Sequence, residues 1–237
     1  YVKELKKVLK ENQYQIVHSH LNSLSIFPLF CAYLAGSPIR IAHSHSTTNK
    51  KEWKKNLIIV RGGGDIATGT IYKLYQSRFS VLVLEIANPS CIRRTISFCE
   101  AVFDKKVEVE GVTAKRAESL EDAFAIYGQG QIPVMIDENG SMIQEVQPPV
   151  VVDAILAKRN LGTKITDAPA VIGVGPGFCA GKDVDAVIET QRGHNLGRVI
   201  YEGEAAPNTG IPGMIGGYAK ERVIHAPATG KLHILRQ

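Results

Sequence analysis

An α/β fold is predicted by three features of this 237-residue chain. Leu57-Ile58-Ile59-Val60 is a continuous apolar run, as a buried strand requires, and it enters the turn Gly62-Gly63-Gly64-Asp65. Ala67, Ile71, Leu74 and Tyr75 then recur at helical spacing. Val81 to Leu84 supplies a second strand ending in Glu85. With 44% hydrophobic and 22% charged residues, the chain can bury a sizeable core and is not a disordered polyelectrolyte.

Taken in order, residues 1–10 read as a solvated amphipathic helix with Val2, Leu5, Val8 and Leu9 on one face. Gln15-Ile16-Val17 is a short strand ending in His18-Ser19-His20. Ile26 to Leu34 is an apolar helix stopped by Gly36 and Pro38. Ile39 to Ala42 is a strand ending in His43-Ser44-His45, which completes a strand–helix–strand unit. After Glu85, Thr95 to Val102 and Ser119 to Tyr127 have helical character, the second with Ser119 placed to cap toward Asp122. Ile132 to Ile136 and Val150 to Val152 read as buried strands, with Glu138-Asn139-Gly140 suited to a tight reversal between them. From residue 168 glycine and proline crowd in. Only six residues separate Phe178 from the strand Asp185 to Glu189, too few for a helical crossover. A compact β-rich substructure is therefore expected there. Three units follow: a partial α/β unit over 1–56, a Rossmann-like domain over 57–160, and a β-rich glycine-loop domain over 161–237.

Charge divides at the same seam. Residues 1–56 hold nine Lys or Arg against three acids, a net +6, whereas residues 57–237 hold 19 basic and 20 acidic groups, a net −1. The overall +5 thus gives the larger part no basic patch, and no nucleic-acid role is expected. The longest apolar run, Ile26 to Ala35, is about half a membrane span and contains Pro28, so no membrane role is expected either. Four cysteines without a C-x-x-C pair indicate neither a zinc ribbon nor a disulfide framework, and a reducing cytoplasm is the simplest compartment.

Gly62-x-Gly64-x-x-Ala67 after a strand fits the dinucleotide fingerprint. The first glycine turns the chain, the second admits a pyrophosphate, and the small third residue lets helix and strand pack. Glu85 stands about 20 residues on, where such a unit places the acceptor for ribose hydroxyls. Gly62, Gly63, Gly64, Ala67 and Glu85 are thus the cofactor-binding candidates, and NAD or a pterin dinucleotide the ligand class. The competing reading is a glycine turn that binds nothing. Arg93 and Arg94 are placed either to face a phosphate or to sit as surface charges.

Beyond residue 168, Gly173, Gly175 and Gly177 are candidates for an anion-binding backbone nest, with Arg192 as a further anion ligand. Sharp turning alone would also require those glycines. His194, behind Glu189 and Arg192, is a candidate for proton transfer, set against a histidine that only closes a turn. Cys179 beside the glycines is a candidate nucleophile, set against a small buried apolar residue. The two His-Ser-His triplets could converge on an ion, but polar strand-end residues explain them more simply, and no metal is expected. No Ser-His-Asp order, P-loop or H-E-x-x-H is present.

Two resemblances attach to these residues. Ile16 to His20 and Gly36 to Thr47 are similar to the acceptor-side half of family 4 glycosyltransferases, a match that breaks off at Asn56. Arg61 to Gly69, Val171 to Thr190 and Arg192 to Val199 resemble the YqeB-type selenium-dependent molybdenum hydroxylase system proteins, from about Leu57 onward. The second resemblance implies a cytoplasmic accessory factor in the maturation of those hydroxylases, with the hydroxylase or its cofactor machinery as partner. Arg222 to Gly230 is similar to the start of a biotinyl/lipoyl-like β-hammerhead. The chain thus reads as a glycosyltransferase-like fragment joined to most of an accessory protein, trimmed at both ends. The alternatives are a family 4 glycosyltransferase, resting on the first 56 residues alone and lacking a donor-binding half, and a NAD-dependent redox enzyme. The residues leave open whether any reaction is catalysed.

Overall fold

The computed structural model describes residues 2–19, 26–42 and 50–230. The first stretch forms α1 (Val2–Asn12), β1 (Ile16–Ser19), α2 (Ile26–Ala35) and β2 (Ile39–Ala42). β1 and β2 pair in parallel, Ile16 opposite Ile39, so the expected strand–helix–strand unit is present. Leu9, Cys31 and Ala32 bury its small core. The His-Ser-His triplets lie outside the residues whose side chains are described.

The chain continues through α3 (Lys50–Lys55), β3 (Leu57–Arg61), α4 (Asp65–Gln76), β4 (Ser80–Glu85), α5 (Ala101–Asp104), β5 (Lys106–Val109), β6 (Val112–Ala117), α6 (Leu120–Gly128), β7 (Ile132–Ile136) and α7 (Ser141–Val146). It closes with β8 (Val150–Asp153), β9 (Ala170–Val174), β10 (Cys179–Ala180), β11 (Ala186–Ile188), β12 (Val199–Ile200) and β13 (Gly203–Glu204). Nine strands form one sheet in the order β12-β11-β9-β8-β3-β4-β7-β6-β5, parallel except for the β5–β6 and β11–β12 pairs. Read from β7 through β4, β3, β8 and β9 to β11, this is the 3-2-1-4-5-6 arrangement of doubly wound dinucleotide folds.

Alternation along β3 explains why its sequence is apolar from Leu57 to Val60. Leu57 and Ile59 join one core, with Trp53, Ala123, Ile126, Ile143 and Val146 from α3, α6 and α7. Ile58 and Val60 join the other, with Ala67 and Ile71 of α4 and Ala101 and Val102 of α5. A strand in the middle of a parallel sheet is covered on both faces and has no solvent side to write in polar residues. Ser119 caps α6 as its spacing predicts, Oγ accepting from the Asp122 amide at 3.1 Å. The Asp122 carboxylate in turn accepts from the Glu118 amide at 3.1 Å.

Local expectations are corrected at several points. Residues 95–102 are not one helix but the 3-10 turns Arg94–Ile96 and Phe98–Glu100 leading into α5. The Phe98 amide donates to Thr68 Oγ1 and the Cys99 amide to the Gly63 carbonyl, so contacts with α4 and its turn replace helical bonds. Residues 138–140 do not reverse one strand onto the next: Gly140 (φ +70°) opens α7, and β7 and β8 are not neighbours. β9 and β11 do pair in parallel. Their crossover, residues 175–185, contains no helix and turns at Gly175, Gly177 and Gly181, all with positive φ. Extended chain covers roughly 3.3 Å per residue, so a parallel return needs no helix when it runs as a loop. Strands either side of residue 160, β8 and β9, hydrogen-bond side by side within this sheet. Finally, residues 223–230 are exposed and form no strand of a hammerhead.

Candidate functional site

A cleft of about 380 Å³ opens at the carboxyl ends of β3, β4 and β8. This is where the sheet's connections part, β3 leading to β4 on one side while β8 returns on the other. In open α/β sheets such a crevice is the preferred ligand position. Arg61, Gly62, Gly64 and Glu85 line it, with Lys158 at the rim.

Three consecutive glycines act differently there. Gly62 has φ +92°, and a Cβ on it would come within 2.9 Å of Ile155 Cα, so only glycine serves. Gly63 lies against Cys99, whose amide donates to the Gly63 carbonyl at 2.8 Å. Gly64 precedes the first turn of α4 with φ −64°, and no atom lies within 4 Å of where its Cβ would be. No side chain caps α4, so the first amides of the helix face the cleft without side-chain competition. Ala67 is fully buried beneath the helix. It permits close packing and does not line the ligand space, a correction to its place among the binding residues.

Glu85 comes to the glycine turn, as its spacing implies, but not in the manner expected. Its Oε2 accepts from the Gly63 amide at 2.7 Å, and its Oε1 from the Ile86 amide at 2.8 Å. The Gly63 amide is therefore held by the chain itself and is not a phosphate donor. Burial pushes the Glu85 carboxyl above the ordinary 4.5, although the Ile86 and Gly63 amides pull the other way. Neither arginine of the following loop is free for an anion. Arg93 pairs with Asp65 in the first turn of α4, and Arg94 clasps one oxygen of Glu100 at 2.6 and 2.9 Å.

Two groups beside the cleft escaped the sequence reading. Arg61 and Asp153, 5% and 1% exposed, face each other across adjacent strands with Nη1 3.4 Å from Oδ2. Thr163 Oγ1 joins them, 2.5 Å from both atoms. A polar residue closing each apolar strand was the only signal available. Cys91 and Cys99 bring their sulfurs to 2.9 Å, and Cys91 Sγ lies 3.6 Å from Glu100 Oε1. Seven intervening residues match no familiar metal-ligand spacing, so only folding reveals this cluster.

The glycine-loop candidates are not assembled into one site. A Cβ on Gly173 would meet the Phe178 ring at 2.5 Å, one on Gly175 Thr190 Oγ1 at 2.9 Å, and one on Gly177 the Arg159 backbone at 2.6 Å. These glycines admit the protein's own atoms at their Cβ positions, and the Gly175 amide donates to the Ile188 carbonyl at 2.8 Å. Glu189 directs one oxygen to the Gln191 amide and the other to the Ala206 amide. Burial would raise its pKa, but those amides and that of Thr190 outweigh it and hold the carboxyl below the usual range. Arg192 and His194 are exposed on the loop and take no part in those bonds. Cys179 is half-buried in β10, its amide donating to Asp183.

No family model and no solved structure matches the chain. Among the described residues, no helix is long and apolar enough to cross a membrane. Over 174 residues, 73% of its length, the chain is 53% identical to "Uncharacterized protein YqeB" of Escherichia coli (strain K12). It spans about a third, 32%, of that relative's length. This identity supports a YqeB-family relationship for the chain.

Proposed function

We propose that this chain is a cytoplasmic accessory factor in the maturation of selenium-dependent molybdenum hydroxylases. In this reading it binds a dinucleotide, NAD or a pterin dinucleotide, in the cleft above β3, and its partner is the hydroxylase or its cofactor machinery. One observation carries the ligand assignment: α4 begins uncapped at a glycine with open space before it, at the switch point of the sheet. The diphosphate rests on the Asp65 and Ile66 amides, where helix polarity favours negative charge. Lys158 adds a cation at the rim. Glu85 accepts from a ribose hydroxyl through lone pairs not used by Gly63 and Ile86, since a carboxylate offers about four. The negative charge of its carboxylate also disfavours a 2′-phosphate.

The test is thermal denaturation with NAD, NADP, a pterin dinucleotide and sugar nucleotides added separately, because a ligand of the native state raises the transition. NAD or the pterin dinucleotide is expected to do so. Stabilisation by sugar nucleotides alone refutes the ligand assignment. The maturation role is tested separately, by whether hydroxylase activity fails in cells lacking the gene and returns when it is restored.

A further inference from the structure

We propose that Cys91, Cys99 and Glu100 form a binding site for a zinc-class divalent cation, with a fourth coordination position open to the cleft. The two sulfurs and a carboxylate oxygen of Glu100 all lie within 4.8 Å of one another. Three ligand atoms so grouped can surround one ion, at about 2.3 Å for Zn–S and 2.0–2.2 Å for Zn–O, after small side-chain movements. Thiolates with a carboxylate suit zinc and exclude magnesium and calcium, which take oxygen ligands throughout.

The surroundings fit that use. Arg94 clasps Oε2 of Glu100 with Nε and Nη2, leaving Oε1 turned toward Cys91. A ligating carboxylate is commonly fixed in this way by a hydrogen-bonding partner behind it. Two thiolates and one carboxylate around a divalent ion leave one negative charge, and Arg94 neutralises it. Cys99 is fully buried and anchored by its amide to the Gly63 carbonyl, whereas Cys91 is half-exposed. Both cysteines line the cleft. Three protein ligands beside a cleft give the open coordination of a catalytic or delivery site, not the closed four-ligand set of a structural one. Binding releases the thiol protons to solvent, and no electron transfer is involved. The site is independent of the dinucleotide assignment.

The experiment is a Co²⁺ titration of the full chain, reduced and chelator-stripped, in a Cys31→Ser, Cys179→Ser background that leaves only the proposed pair of thiols. One equivalent of Co²⁺ is expected to produce an intense near-ultraviolet sulfur-to-cobalt band, and Zn²⁺ to bleach it. Cys91→Ser or Cys99→Ser should abolish the band. Arg94→Gln, at an exposed side chain, should weaken binding by about 10–100-fold, the usual loss when the partner of a ligating group is removed. Cys91→Ser is the safer variant because its position is half-exposed, and circular dichroism establishes that each variant folds. The proposal is overturned if the reduced protein takes up no Co²⁺, if Cys91→Ser retains the band, or if the pair only forms a disulfide.

Discussion

Replacing Gly64 by valine should remove ligand binding while leaving the fold in place. Gly64 has φ −64° and ψ −179°, which valine adopts without strain, and its Cβ direction is empty to 4 Å. Valine before a helix costs about 1 kcal/mol relative to a better capping residue. The lost freedom of glycine in the unfolded chain returns about 0.4–1 kcal/mol. The ligand-free protein should therefore shift by less than about 4 °C in Tm, at about 2–4 °C per kcal/mol for a domain of this size. Dinucleotide at one hundred times its Kd stabilises the wild type by about 2.7 kcal/mol, which corresponds to about 5–10 °C. Valine methyl groups occupy the space in front of the first α4 amides, so that increment should vanish. Differential scanning fluorimetry with and without NAD or the pterin dinucleotide reads both quantities. A Gly64→Val protein that keeps the full ligand-induced shift refutes the placement of the diphosphate. Gly62→Ala supplies the contrast: at φ +92° and 2.9 Å from Ile155 Cα it should lower ligand-free stability, by about 1–3 kcal/mol from backbone conformation alone.

Other outcomes follow from the surrounding packing and charges. Arg61→Met leaves Asp153 buried without its cation and should cost about 3–5 kcal/mol, read as a lower urea midpoint at unchanged slope. Because burial raises the folded-state pKa of Glu85 above 4.5, its contribution is complete below that value and lost as pH rises through the raised one. Urea stability should accordingly fall over that window in wild type, and Glu85→Gln should lack that fall. Trp53, the single tryptophan, is 2% exposed and meets the Phe124 ring edge-on at 5.7 Å. Its emission should be blue-shifted in the native protein and redden together with loss of circular dichroism; an early reddening would mean that α3 detaches before the sheet unfolds. Ser119→Ala should destabilise by about 1 kcal/mol through loss of the α6 cap, measured by chemical denaturation.

Elements governed by local rules were legible in the residues. β3, β4 and β7 lie where apolar runs place them, because burial on both faces leaves its mark on nearly every position, and α4 lies where the helical spacing of its one buried face places it. Ser119 announced its cap through a three-residue spacing. The β5–β6 hairpin is also written locally, in the alternation of Val107, Val109, Val112 and Ala114 around Glu110-Gly111, both at positive φ.

The site divides along the same line. By itself the sequence determined the strand–turn–helix, the turning role of Gly62 and the approach of Glu85, since these depend on backbone conformation and short spacings. Only the tertiary structure decided that Glu85 would hold the Gly63 amide, that Arg93 and Arg94 would be taken up by Asp65 and Glu100, and that Cys91 would meet Cys99. It also decided the parallel pairing of β9 with β11 and the close approach of Phe178, Thr190 and Arg159 to Gly173, Gly175 and Gly177. These outcomes are competitions among several partners for each polar group and each void. Their winners are set by packing in three dimensions, which residue type and spacing do not encode.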